Sequence, residues 1–192
     1  MLELELSILG AILFFLLSHL AMLTYYKKYD YWWHYYCDLG YTLPKNRIST
    51  ILYRSGLLLF AVLQLPLWFN IDSYLTVNIV FIKVAGLVGC ISFILMIIFP
   101  YERSRRLHFL SLFSAFTGVS AAFIIANYEL QHVLLNVYLW CFIVYISVVI
   151  ITTARYRKEM KRAHKYQAPV QKTFVILFLI TVIFFCLSLA SA

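Results

Sequence analysis

Charge is scarce in this chain. Only 12% of its 192 residues are charged, and just eight are acidic; a soluble domain carries about 25% charged residues. The acids are also badly placed for chemistry, because the long hydrophobic runs contain no Asp or Glu at their centres and leave no pair of carboxylates for acid–base work. The four cysteines, Cys37, Cys90, Cys141 and Cys186, form no CxxC pair, and three lie inside hydrophobic runs. They read as packing residues, not as a metal site or a disulfide framework. HExxH, HxxxH, GxSxG and a Walker-type glycine loop are all missing, as is the acid-phosphatase set of clustered Arg, Ser-Gly-His and His. No motif indicates an enzyme, a metal or a cofactor.

What the chain has is apolar length. It is 64% hydrophobic, with a mean hydropathy of +0.86. A helix needs about 20 mostly apolar residues to cross a bilayer. Six runs of that kind fit, at about Leu4–Tyr25, Leu52–Phe69, Tyr74–Ile98, Leu107–Asn127, Leu130–Thr153 and Thr173–Leu189. They use most of residues 1–192, so the expected fold is all-α: one polytopic bundle of six transmembrane helices, with no separate soluble domain. The first run opens Met-Leu-Glu-Leu-Glu, with acids where a signal peptide carries Lys or Arg, and reads as a retained helix.

Fifteen of the sixteen Lys and Arg residues fall in three connections. Loop one holds Lys27, Lys28, Lys45, Arg47 and Arg54. Loop three holds Arg103, Arg105 and Arg106. Loop five holds Arg155, Arg157, Lys158, Lys161, Arg162, Lys165 and Lys172. Loops two and four and both termini hold none, and carry Glu3, Glu5, Asp72 and Glu129 instead. Cytoplasmic loops keep their cations. Loops one, three and five are therefore expected to be cytoplasmic, with both termini outside. The net charge of +8 would suggest nucleic acid in a soluble protein; here it flanks membrane helices, and no nucleic-acid partner is implied.

Loop one is crowded with rings. Tyr25–Tyr36 contains six Tyr, two Trp and a His in twelve residues. Such rings settle at the headgroup level, greasy on one side and wet on the other. Trp32, Trp33, His34, Tyr35 and Tyr36 read as an interfacial belt, or as the wall of a lipid or ligand pocket. Loop five reads as an extension of the fifth helix that turns at Pro169; its cations suit topology or attraction to anionic lipid.

Among the polar residues within the apolar runs, Lys83, Asn78 and His19 are candidates for a role. Lys83 stands alone in the third, where a lysine either faces a partner such as Asn78 or Asp72, or snorkels outward. Gly86 and Gly89 follow it and would admit a neighbouring helix. His19, in the first run, reads as a buried histidine bonded to a neighbour; a metal or haem ligand is the alternative, and the other histidines supply no regular pairing for it.

Two loop elements remain. One is Cys37-Asp38-Leu39-Gly40-Tyr41-Thr42, followed by Pro44, Asn46 and Ser49. The other is Phe99-Pro100-Tyr101-Glu102, followed by Arg106-Leu107-His108. Both belong to the same membrane face, so Asp38, Gly40, Asn46, Glu102 and His108 form a candidate polar cluster. Asp38 and His108 would meet in it as a charge pair, with Gly40 where the backbone turns tightly. Over about residues 30–125 these elements resemble small bacterial and archaeal six-helix membrane proteins of unknown function related to the Frag/DRAM/Sfk superfamily. The resemblance implies lipid-related work, such as GPI-lipid remodelling, lipid asymmetry or organelle membrane regulation, and no catalytic mechanism.

The expected function is that of a membrane protein that contacts or organises lipid at its cytoplasmic face. The alternatives are an accessory subunit, partnered by other membrane proteins, and a small transporter that uses Lys83. The orientation is directly testable in a chain stripped of native cysteines. A membrane-impermeant thiol reagent applied to intact cells should label Cys introduced at Ser73 and spare Cys introduced at Lys161; the reverse pattern inverts the topology.

Overall fold

The computed structural model describes residues 1–42, 44–131, 133–155 and 160–191. Six long helices make up nearly all of it: α1 (Leu2–Leu23), α2 (Arg47–Phe69), α3 (Ile79–Ile98), α4 (Arg105–Leu130), α5 (Val133–Arg155) and α6 (Met160–Ser191). Short 3₁₀ turns occupy Tyr36–Gly40, Pro44–Asn46 and Ile71–Ser73. Among the described residues there is no strand. All six helices are long and apolar enough to cross a membrane. Their outward surfaces carry Leu16 and Leu20 on α1, Val80, Phe81 and Val84 on α3, and Trp140, Ile150 and Ile151 on α5. Exposed apolar surface of that extent belongs against lipid. The chain is an integral, multi-pass membrane protein.

The expected boundaries shift in three places. Helix α2 starts at Arg47, not Leu52, and α3 starts at Ile79, not Tyr74. Asn78 adopts a left-handed conformation (φ 55°) just before α3, so the chain turns there before it can become helical. The third shift is the largest. Helix α6 begins at Met160 and runs through Pro169, where the sequence suggested a turn. Proline breaks helices in water; within a membrane bundle, neighbouring groups re-satisfy the freed backbone, and the helix continues. Residues 156–159, and with them Arg157 and Lys158, lie outside the described residues, as does His132.

Each helix packs against its neighbours in sequence, and α6 returns to α1, closing a ring. Aromatic side chains fill the middle. Phe60 meets Phe93 at 5.3 Å, Phe116 meets Phe178 at 5.2 Å, and Phe123 meets Phe185 at 4.9 Å between ring centres. Pairs of this kind add about 0.5–1.5 kcal/mol each beyond the area they bury. The buried Tyr138 hydroxyl is satisfied by Ser120 Oγ at 2.8 Å. At one end, Glu129 at the close of α4 accepts hydrogen bonds from the backbone N–H groups of Thr76 and Val77, and Asn127 donates to Asn136 of α5 at 2.8 Å. The other end carries loop one, the α3–α4 connection and the α5–α6 junction, where the cations gather. It is the basic end of the molecule.

Close backbone approach holds α3 to α4. A Cβ at Gly118 would lie 2.7 Å from the Ala85 carbonyl oxygen and 2.8 Å from the Gly89 nitrogen. Gly89 thus admits a neighbouring helix as its position suggested, whereas Gly86 makes room for the Trp68 ring. Because backbone cannot move aside, Gly118→Ala should cost about 1–3 kcal/mol, the usual scale of overpacking. Gly10→Ala would meet the Leu63 Cβ at 3.1 Å and the Phe60 backbone at an ordinary 3.5 Å, and should cost less. Thermal unfolding in mild detergent gives the ranking.

Candidate functional site

Loop one folds back under the basic end and is fastened there by α6. Lys172 is fully buried. Its ammonium donates to the Tyr31 carbonyl at 2.7 Å, to the His34 carbonyl, and to Ala168 of its own helix at 3.3 Å. The same group lies over the Tyr31 ring at 4.7 Å and the Tyr29 ring at 5.3 Å. An ammonium is all donor and a carbonyl all acceptor, so this one residue satisfies two loop carbonyls and its own charge together. Two glutamines on the same helix continue the attachment. Gln171 Oε1 accepts from the Tyr36 N–H at 3.1 Å, and Gln167 Oε1 accepts from the Tyr35 hydroxyl at 2.7 Å. Gln167 Nε2 donates to Thr152 of α5 at 2.8 Å, so α5 is tied in as well.

The ring-rich segment divides as it folds. Trp32 and Trp33 face outward, 63% and 45% exposed, as an interfacial belt requires. Tyr36 turns inward and is buried near Phe14. His34 lies between Tyr25 and Tyr29, and its Nδ1 accepts from the Asp30 N–H at 2.8 Å. Tyr35 lines a cavity.

Loop one is fastened to the start of α2 and to loop three. Asn46 Nδ2 and Ser49 Oγ both donate to the Leu39 carbonyl, Thr50 Oγ1 donates to the Tyr41 carbonyl at 2.5 Å, and Arg54 donates to the Gly40 carbonyl at 2.8 Å. Glu102 of loop three accepts from the Thr42 N–H at 2.5 Å. Asn46, Ser49, Thr50, Arg54 and Glu102 therefore act together to satisfy the backbone of residues 39–42. Gly40 is not where the backbone needs special freedom, since no glycine has positive φ. A Cβ there would come within 3.2 Å of the Tyr53 ring, so its role is packing.

Asp38 and His108 reach the same cavity but are not each other's partners. Asp38 Oδ2 accepts from the Tyr35 N–H at 2.8 Å, and the Tyr41 phenol also bonds the carboxylate. His108 Nδ1 bonds the Phe99 carbonyl at 3.1 Å, and the charges acting on the ring are those of Glu102 and Arg54. The expected charge pair is corrected to two separately anchored residues lining one cavity.

That cavity has a volume of about 140 Å³, far more than the roughly 10–15 Å³ that one water requires. Loop one contributes Tyr35, Cys37, Asp38 and Tyr41. The start of α4 contributes Arg105, His108 and Leu112, and α5 and α6 contribute Tyr145, Val149, Gln167 and Gln171. Arg105 is exposed at its edge, with the guanidinium over Tyr101 at 5.6 Å and Phe109 at 5.7 Å. Burial, and after it the Asp38 carboxylate, push the Tyr41 phenol well above its ordinary value, so it stays a protonated donor. Burial and then Asp38 likewise push the Cys37 thiol up to about 12. On the outer surface an apolar groove of about 340 Å³ runs between α5 and α6 beside Pro169, and Tyr145 lines both it and the cavity.

The three polar residues expected within the membrane lie elsewhere. Lys83 pairs with Asp72 at 3.5 Å, its side chain 32% exposed, at the end opposite the cavity. Asn78 sits at the left-handed turn before α3. His19 is not buried: it is half-exposed on α1, with Nδ1 on the Phe15 carbonyl of its own helix at 2.8 Å. Sequence reasoning missed Lys172, Gln167, Gln171 and Arg105 as site residues. The spacing of Gln167, Gln171 and Lys172 on one helix is the available signal, and reading Pro169 as a break conceals it.

No protein-family model, no curated protein and no solved structure matches this chain.

The attachment of loop one is open to a chemical test. With Cys37 as the sole cysteine, alkylation at pH 8 should be slow, because a thiol held near 12 is almost never the reactive thiolate. Lys172→Met leaves two loop carbonyls unsatisfied, at a cost of about 1–3 kcal/mol. It should release the segment and speed alkylation at least to the rate of an exposed cysteine. The raised thiol value also stabilises the fold below pH 9, and that contribution should fade as pH climbs toward 12.

Proposed function

We propose that this chain is an integral membrane protein that binds a phospholipid at its basic, cytoplasmic end, with the headgroup in the cavity between loop one, α4, α5 and α6. The observation that carries this reading is the cavity's mixed wall. Charged and hydrogen-bonding groups (Asp38, Arg105, Gln167, Gln171 and four tyrosines) share it with Leu112, Phe109 and Val149, which belong to membrane helices. A headgroup attached to acyl chains has that same division. The outer groove beside Tyr145 offers apolar surface next to the cavity for a chain to follow. The clustering of cations at this end favours lipid phosphate, and the resemblance of loops one and three to Frag/DRAM/Sfk-related proteins points the same way. Lys83, on which a transporter reading would rest, pairs with Asp72 at the opposite rim and lines no part of this cavity.

Native mass spectrometry after gentle extraction tests the proposal. About one phospholipid should remain on each chain. Val149→Trp, which fills the cavity, should lower lipid retention about tenfold while circular dichroism stays unchanged, a tenfold change being about 1.4 kcal/mol. Unchanged retention in the variant overturns the site, and partner chains in place of lipid support the accessory-subunit reading.

A further inference from the structure

We infer that the cavity selects a zwitterionic headgroup bearing a primary ammonium, with its phosphodiester on Arg105 and its ammonium on the side of Asp38. The inference builds on the lipid reading above and goes further, to the chemistry of the headgroup.

Arg105 supplies the anionic half. It makes no ion pair among the described residues, yet two rings hold it at the cavity edge. It is also the first residue of α4, whose N-terminal N–H groups and dipole favour a phosphate. Guanidinium and phosphodiester match in charge and fork geometry. The loop-one lining asks for a different group. Asp38 places a carboxylate in the cavity, which repels a second negative charge and attracts a cation. Around it stand Tyr35, Tyr41 and Tyr101, with Tyr41 and Tyr101 stacked at 6.1 Å. Ring faces and phenol oxygens both suit an ammonium.

His108 adds the preference for N–H donors. The Phe99 carbonyl can only accept, so Nδ1 carries the proton of the neutral ring and Nε2 is left as an acceptor. His108 is 5% exposed, lines the cavity, and its Nε2 has no partner. A buried acceptor without a donor is costly. A primary ammonium provides three donors, a trimethylammonium provides none, and an anionic glycerol headgroup provides hydroxyls but brings net charge against Asp38. One cation and one carboxylate in one small cavity complement a ligand with one of each.

The full chain in mild detergent can be titrated with phosphatidylethanolamine, phosphatidylcholine and phosphatidylglycerol of matched acyl chains, with lipid adducts read by native mass spectrometry. Phosphatidylethanolamine should be retained about tenfold over the other two, the scale of one charge-assisted hydrogen bond. Asp38→Asn should abolish or reverse the preference over phosphatidylglycerol, and Arg105→Gln should weaken all three. The wild-type ranking needs no variant, so it decides the matter even if Asp38→Asn fails to fold. Equal retention of the three lipids overturns headgroup selection and leaves a lipid site in place, whereas retention of none overturns the lipid reading itself. Soluble glycerophosphoethanolamine should compete poorly; if it binds as tightly as the lipid, the ligand is a free headgroup and the membrane source is wrong.

Discussion

One buried ammonium organises the basic end. Lys172 is the point where a helix meant for hydrocarbon meets a loop that would otherwise leave its backbone unpaired. Sinking a lone cation is expensive, and here two loop carbonyls, a helix carbonyl and two tyrosine rings replace its water. Gln167 and Gln171 extend the attachment along the same helix. With loop one held, Tyr35, Cys37, Asp38 and Tyr41 become a wall, and the space between α4, α5 and α6 becomes a cavity with a floor.

The shape of that cavity follows from how the helices approach one another. Gly89 and Gly118 bring α3 and α4 nearly backbone to backbone. Helices α4 and α5 are joined at the far end by Asn127 and Asn136 and further in by Ser120 and Tyr138. Toward the basic end, it is α6 rather than α4 that engages α5, through Gln167 and Thr152. The volume bounded by Leu112, Val149 and Gln171 is what this arrangement leaves open.

The fold was legible because its signal is summed over many residues. Six apolar runs survive any local error, since a bilayer imposes the same length on each. The loop-one and loop-three motifs were legible as a cluster for a similar reason: alternating charge put them on one face, and the structure brings Asp38 and His108 to one cavity. Their partners were not legible. Whether His108 bonds Asp38 or the Phe99 carbonyl depends on ring orientation, which spacing does not encode. Lys172 looked like one more topological cation, because its burial is decided by a segment some 140 residues away. Gly40 looked like a turn residue because glycine usually marks one, yet the Tyr53 ring is what requires it. Short-range chemistry set the elements, and long-range contacts set the roles.

The attachment also has an order in time. Every α6 group that fastens loop one lies on the last of the six helices, while the loop itself follows the first. A growing chain therefore displays Tyr29, Tyr31 and Tyr36 with no lysine beneath them until five other spans have been made. Closing the ring of helices and closing the floor of the cavity both depend on α6. A chain lacking α6 would leave the carbonyls of Tyr31 and His34 without their ammonium partner.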